Sequence, residues 1–118
     1  PGRREVAHGA LAERAVARED GVALIDLTAM TTAFYEALGP TRASLAFNDD
    51  GKDKTHHNNY GAYELAHMVA SHLNVAGPEL AGHVLPEGQV FNPAHPLPPE
   101  AFELPASGIR SDKRPEGN

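Results

Sequence analysis

One run in this chain, Val22-Ala23-Leu24-Ile25-Asp26-Leu27, has the short apolar character of a β-strand buried on both faces, and it follows an Asp20-Gly21 turn signal. A lone strand leaves its backbone donors and acceptors unpaired on both edges, so it demands neighbours from elsewhere. The flanking segments have helical patterns. Residues 4–19 are rich in Ala, Glu and Arg, all good helix formers, although their apolar positions do not gather on one face. Met30, Ala33, Phe34, Ala37 and Leu38 form one stripe on a second helix, which Gly39-Pro40 is placed to stop. A helix-strand-helix-loop-helix order is a piece of an alternating α/β fold. The expectation is therefore the C-terminal portion of a larger protein, with the missing strands supplied by an upstream segment or a companion chain.

Residues 40–58 are polar and carry the turn-rich run Asn48-Asp49-Asp50-Gly51. Ala62, Leu65, Ala66, Val69 and Leu73 then recur at helical spacing, with Glu64, His67, Ser71 and Asn74 on the opposite side. This predicts an amphipathic helix docking its Ala/Leu/Val face on a core. From residue 76 onward the pattern changes: eight of the ten prolines lie in residues 76–118, with Pro93, Pro96, Pro98 and Pro99 nearly contiguous. The reading divides the chain into a folded part, residues 1–75, and an irregular proline-rich tail, residues 76–118, expected to wrap it or to be partly mobile.

Composition narrows the function classes. The net charge of -6 and the scattered basic residues argue against a nucleic-acid partner, which requires clustered Lys and Arg. Without cysteine there is no disulfide framework, no thiolate nucleophile and no Cys-type zinc site. No apolar run approaches the roughly 20 residues that span a bilayer, so no membrane partner is expected.

The chemistry concentrates in Asp53-Lys54-Thr55-His56, where a carboxylate precedes an imidazole by three residues in a polar loop opening onto a helix. Histidine titrates near neutrality and takes a proton from a hydroxyl, and a neighbouring carboxylate fixes its tautomer and stabilises the imidazolium. The alternative is a capping Asp53 and a solvated His56. His57 suits the wall of a substrate cleft or an exposed position. Asn58 and Asn59 suit helix N-caps, or hydrogen bonds to a bound ligand. Tyr60 and Tyr63 suit packing or ring stacking, and Gly61 close packing of the following helix. Asp26, at the end of its strand, suits either a site or a turn. His67 and His72 are five apart, on different sides of a helix, and no His-Glu-x-x-His pattern occurs, so no metal site is expected.

Asp53-Lys54-Thr55-His56 followed by Tyr60-Gly61-Ala62-Tyr63-Glu64-Leu65-Ala66 resembles the last sequence block of SGNH (GDSL-type) hydrolases, closest to the rhamnogalacturonan acetylesterase-like carbohydrate esterases. That block reads Asp-x-x-His, then Gly-Ala leading into the final helix. Upstream, residues 22–27 resemble the family's last core strand, and Phe34-Tyr35-Glu36-Ala37-Leu38-Gly39 the helix and Gly after it. The resemblance covers residues 5–75. It implies a flavodoxin-like, three-layer α/β/α fold with a parallel sheet and a cofactor-free serine ester hydrolase that deacetylates a polysaccharide such as pectin or rhamnogalacturonan. It implies that His56 is the general base and Asp53 its orienting acid, and a secreted or periplasmic setting. The blocks carrying the nucleophilic serine, the oxyanion glycine and the Gly-x-Asn-Asp sequence are absent, and Ser44, Ser71, Ser107 and Ser111 have none of those contexts. The isolated chain is expected to be inactive. The rival readings are a non-catalytic interaction module and a histidine-based metal-binding protein.

Overall fold

The computed structural model describes residues 2–104, with side-chain surroundings from residue 9 onward. The last part of the proline-rich tail, with Ser107 and Ser111, lies outside the described residues. The described residues form helices and turns: α1 (Gly2–Asp20), α2 (Leu27–Arg42), α3 (Asn59–Ala70), α4 (Leu73–Ala76) and α5 (Pro78–Ala81), joined by short 3-10 turns.

The expected α/β/α fold with a parallel sheet is overturned. Among the described residues there is no β-strand, and the one isolated bridge pairs Phe47 with His57 in antiparallel sense. Residues 22–26 belong to no helix or strand, and Val22 and Leu24 are exposed. The physical reason is the one that makes a lone strand a problem: strand structure exists only as a ladder, and no second strand lies beside this run. Its end has another use. Asp26 is the N-cap of α2, its carboxylate accepting from the Thr28 N–H at 3.0 Å and forming an ion pair with Arg14 that ties α1 to the start of α2.

The α2 stripe packs through Phe34 and Leu38, which are buried, while Ala37 of the same stripe is exposed. Gly39 interrupts the helix at φ 75°, a left-handed conformation that costs glycine little, and Pro40 starts a further turn that runs to Arg42. Phe34, Leu38, Ala46, Tyr60 and Met68 form the core, flanked by Met30, Tyr35, Phe47, Leu65, Phe91 and Phe102. Burying Phe34 and Met68 completely stabilises the fold by about 1.5–3 kcal/mol each.

Helix α3 exists where the periodicity puts it, but it is rotated. Its buried residues are Tyr60, Gly61, Glu64 and Met68, whereas Ala62 and Ala66 of the expected face are exposed. The aromatic ring of Tyr60 and the Met68 side chain meet Phe34, and Phe34 and Tyr60 lie 6.1 Å apart between centroids. Two large side chains opposite a phenylalanine outweigh a stripe containing two alanines, because stabilisation scales with apolar area removed from water. The tail closes the other side of α3. Tyr60 donates its hydroxyl to the Leu97 carbonyl at 2.7 Å, Phe102 packs against Tyr60 and Tyr63, Phe91 meets His67 edge-on, and Arg42 forms an ion pair with Glu100.

That closure buries Glu64 completely, and neither carboxylate oxygen makes a hydrogen bond. Burial pushes its pKa above the ordinary 4.5, and Tyr60 beside it is pushed up to about 12 by burial and by the Glu64 charge. The sign of the pH dependence follows. A carboxyl whose folded pKa is raised leaves stability intact below the unfolded value, then removes it as pH rises from about 4.5 through the folded value. Glu64→Gln is therefore expected to melt close to the parent at pH 4 and above it at pH 7, by thermal unfolding followed by circular dichroism. Equal melting temperatures at both pH values would contradict the buried carboxyl as the source.

Candidate active site

The Asp53–His56 turn is built from its own backbone. Asp53 Oδ1 accepts the N–H groups of Thr55 and His56 at 2.8 and 2.9 Å, and Oδ2 accepts from the imidazole Nδ1–H of His56 at 2.8 Å. Asp is suited to this because its short side chain reaches the amides two and three residues on. Those two N–H groups, His56 first and then Thr55, together with the imidazole bond, hold the Asp53 carboxyl down to about 2. An ionised carboxylate only accepts, so the shared proton sits on Nδ1 and Nε2 carries the lone pair. The His56 side chain is 73% exposed, so that lone pair is open to an incoming group.

The turn stands on a zipped base. The Asn48 N–H donates to the His56 carbonyl at 3.0 Å and the Asn58 N–H to the Ala46 carbonyl at 3.1 Å, so the loop's two arms run side by side through the Phe47–His57 bridge. Asn58 locks both arms to α3. Its Oδ1 caps the helix by accepting from the Gly61 N–H at 3.1 Å, and its Nδ2 donates to the carbonyls of Leu45 and Phe47 at 2.7 and 3.1 Å. Both ends of the amide are thus engaged within the chain rather than offered to a sugar. Gly61 fits under this base by close approach: a Cβ there would fall 2.2 Å from the Ala46 carbonyl oxygen and 2.8 Å from Cδ2 of His57.

His57 does not join the Asp53–His56 pair. Its ring stacks on Phe47 with centroids 4.7 Å apart, and its Nε2 is hydrogen-bonded to the Tyr35 hydroxyl of α2. Burial lowers the His57 pKa and raises that of Tyr35, which favours a neutral imidazole accepting from a neutral phenol. His67 packs on Tyr63, and His72 lies at the end of α3 with Nδ1 3.0 Å from the Met68 carbonyl. Among the described residues no group of three or more His, Asp or Glu side chains is placed to hold a metal ion.

The serines stand apart from the pair. Ser44 donates to the Thr41 carbonyl at 3.0 Å, Ser71 to the Met68 carbonyl at 3.1 Å, and among the described residues no serine hydroxyl is bonded to His56. Two residues escaped sequence reasoning. Tyr35 reaches His57 across 22 positions, a separation with no local signature, and Glu64 reads as an outward-facing helical charge.

No protein-family model matches the chain, and no solved structure matches it. The chain is similar to the rhamnogalacturonan acetylesterase RhgT of Bacillus subtilis (strain 168), with 34% identity over 85 residues that cover 63% of this chain. The match spans 37% of that relative's length. The relationship to esterases is a distant one.

Proposed function

We propose that this chain supplies the acid-base pair of a serine ester hydrolase that removes acetyl groups from a polysaccharide of the rhamnogalacturonan type, and that the nucleophilic serine comes from an upstream segment or companion chain. One observation carries the reading: a carboxylate pinned by two backbone N–H groups holds Nδ1 of an exposed imidazole, leaving Nε2 with a lone pair and nothing to bond among the described residues. The similarity to an acetylesterase supports the choice of reaction.

In this reaction His56 Nε2 takes the proton of the serine hydroxyl as its oxygen attacks the acetyl carbonyl, and Asp53 stabilises the imidazolium. Collapse of the tetrahedral intermediate breaks the bond to the sugar oxygen, which leaves with the proton from Nε2. The acetyl group stays on the serine. Water then attacks the acetyl carbon, giving a proton to Nε2; collapse breaks the bond to the serine oxygen, which takes that proton back, and acetate leaves. Donors to the oxyanion come from outside this chain, and no metal or organic cofactor takes part.

The test is covalent. A p-nitrophenyl phosphonate ester added to the intact protein, or to this chain with its companion, is expected to label one serine lying outside these 118 residues, and to abolish release of acetate from acetylated rhamnogalacturonan. Labelling of Ser44, Ser71, Ser107 or Ser111 instead, or deacetylation that survives complete labelling, would sink the proposal.

A further inference from the structure

Beside the turn that holds Asp53 and His56, a cavity of roughly 280 Å³ opens between the end of α2 and the loop that follows it. Its walls are Tyr35, Pro40, Ala43 and Phe47, and its polar members include Ser44 and Lys54. The Tyr35 and Phe47 rings stack at 24° with centroids 5.6 Å apart, and the Tyr35 hydroxyl is already engaged by His57. The two rings therefore offer apolar surface. The Ser44 hydroxyl is also engaged, on the Thr41 carbonyl. Lys54 is the one cation lining the cavity and forms no ion pair among the described residues. The acids of the neighbouring turn, Asp49 and Asp50, do not line it, and the Asp53 carboxylate is turned onto Thr55 and His56.

Volume, wall and charge each restrict the occupant. The space lies just under the ~300 Å³ at which ligand pockets usually begin, enough for one ring rather than a disaccharide. A ring bearing hydroxyls around its rim would desolvate most of them against proline, alanine and aromatic carbon, with only the Ser44 oxygen and the Lys54 ammonium to bond in return. A flat apolar ring loses nothing there and gains offset contact with Tyr35 and Phe47. The lone ammonium calls for one negative group on that ring.

We propose that this cavity is a binding site for a single-ring aromatic carboxylate of the benzoate type, with the ring on Tyr35 and Phe47 and the carboxylate on Lys54. The site is separate from the acyl-transfer reading and does not depend on it. Lys54 follows Asp53 directly in the chain, so an occupant lies beside the segment that carries His56.

Benzoate titrated into the full chain and followed by NMR is expected to produce saturable shifts of the Tyr35 and Phe47 ring signals. Benzyl alcohol, which keeps the ring and drops the charge, and acetate, which keeps the charge and drops the ring, are each expected to bind at least about fivefold more weakly. Lys54 is exposed, so Lys54→Met should melt like the parent; it is expected to lose about fivefold in benzoate affinity while leaving benzyl alcohol unchanged. Three results would overturn the proposal: ring signals that do not move, benzoate affinity untouched by Lys54→Met, or tighter binding of galacturonate than of benzoate.

Discussion

Gly61→Ala is expected to destabilise the protein by about 3 kcal/mol, lowering the melting temperature by on the order of 10 °C or more. The sign is what makes this informative. Alanine is a better helix former than glycine by about 1 kcal/mol, so an open position on α3 would be stabilised by the change. Here the added carbon would overlap the Ala46 carbonyl oxygen at 2.2 Å, and that oxygen is backbone already accepting from the Asn58 N–H. Neither atom can yield alone. Moving α3 outward breaks the Asn58 cap on the Gly61 N–H, and moving the Ala46 strip breaks the Asn58 bonds to Leu45 and Phe47. The strain also reaches His57 and thus the base of the Asp53–His56 turn. Thermal unfolding checks this, and a melting temperature equal to or above the parent's would contradict the close approach of α3 to the loop.

What could be read from the sequence was local. The Asp53–His56 contact spans three residues, and the bonds that make it are those any Asp at the head of a turn can form with the next amides. The Asn58 cap, the α2 stripe and the helical character of residues 4–19 are equally short-range, and the structure forms all three. What failed was everything decided by distant partners. The strand expected at residues 22–27 needs a neighbour, and residues 22–26 stay unpaired without one. The apolar count on α3 pointed to Ala62, Leu65, Ala66, Val69 and Leu73, whereas the face that packs is set by Phe34 from α2 and by Leu97 and Phe102 from the tail. Glu64 is buried because the tail crosses it, which no pattern within α3 could reveal. The Tyr35–His57 bond joins two elements through a loop whose path rests on three bonds made by Asn58.

For the chemistry, the largest expected effect is that of His56→Ala. If His56 moves the proton in both halves of acyl transfer, its loss should lower kcat on an aryl acetate by on the order of 10⁴ to 10⁶, with KM nearly unchanged, because the imidazole acts in the transition state rather than in binding. Asp53→Asn should cost less, on the order of 10⁴, since the imidazole stays while its tautomer and orientation are lost. The double variant should fall no lower than His56→Ala alone, because the two residues act as one unit. His57→Gln offers a control within the same loop: it removes a ring that stacks on Phe47 and contacts Tyr35, and it leaves the Asp53–His56 bonds in place. Its activity should follow folding stability rather than collapse.

The decisive measurement is kcat of the intact protein on p-nitrophenyl acetate with and without the His56 side chain. The acid-base assignment predicts a loss of on the order of 10⁴ or more in a variant that melts like the parent. An unchanged kcat in that variant would contradict it.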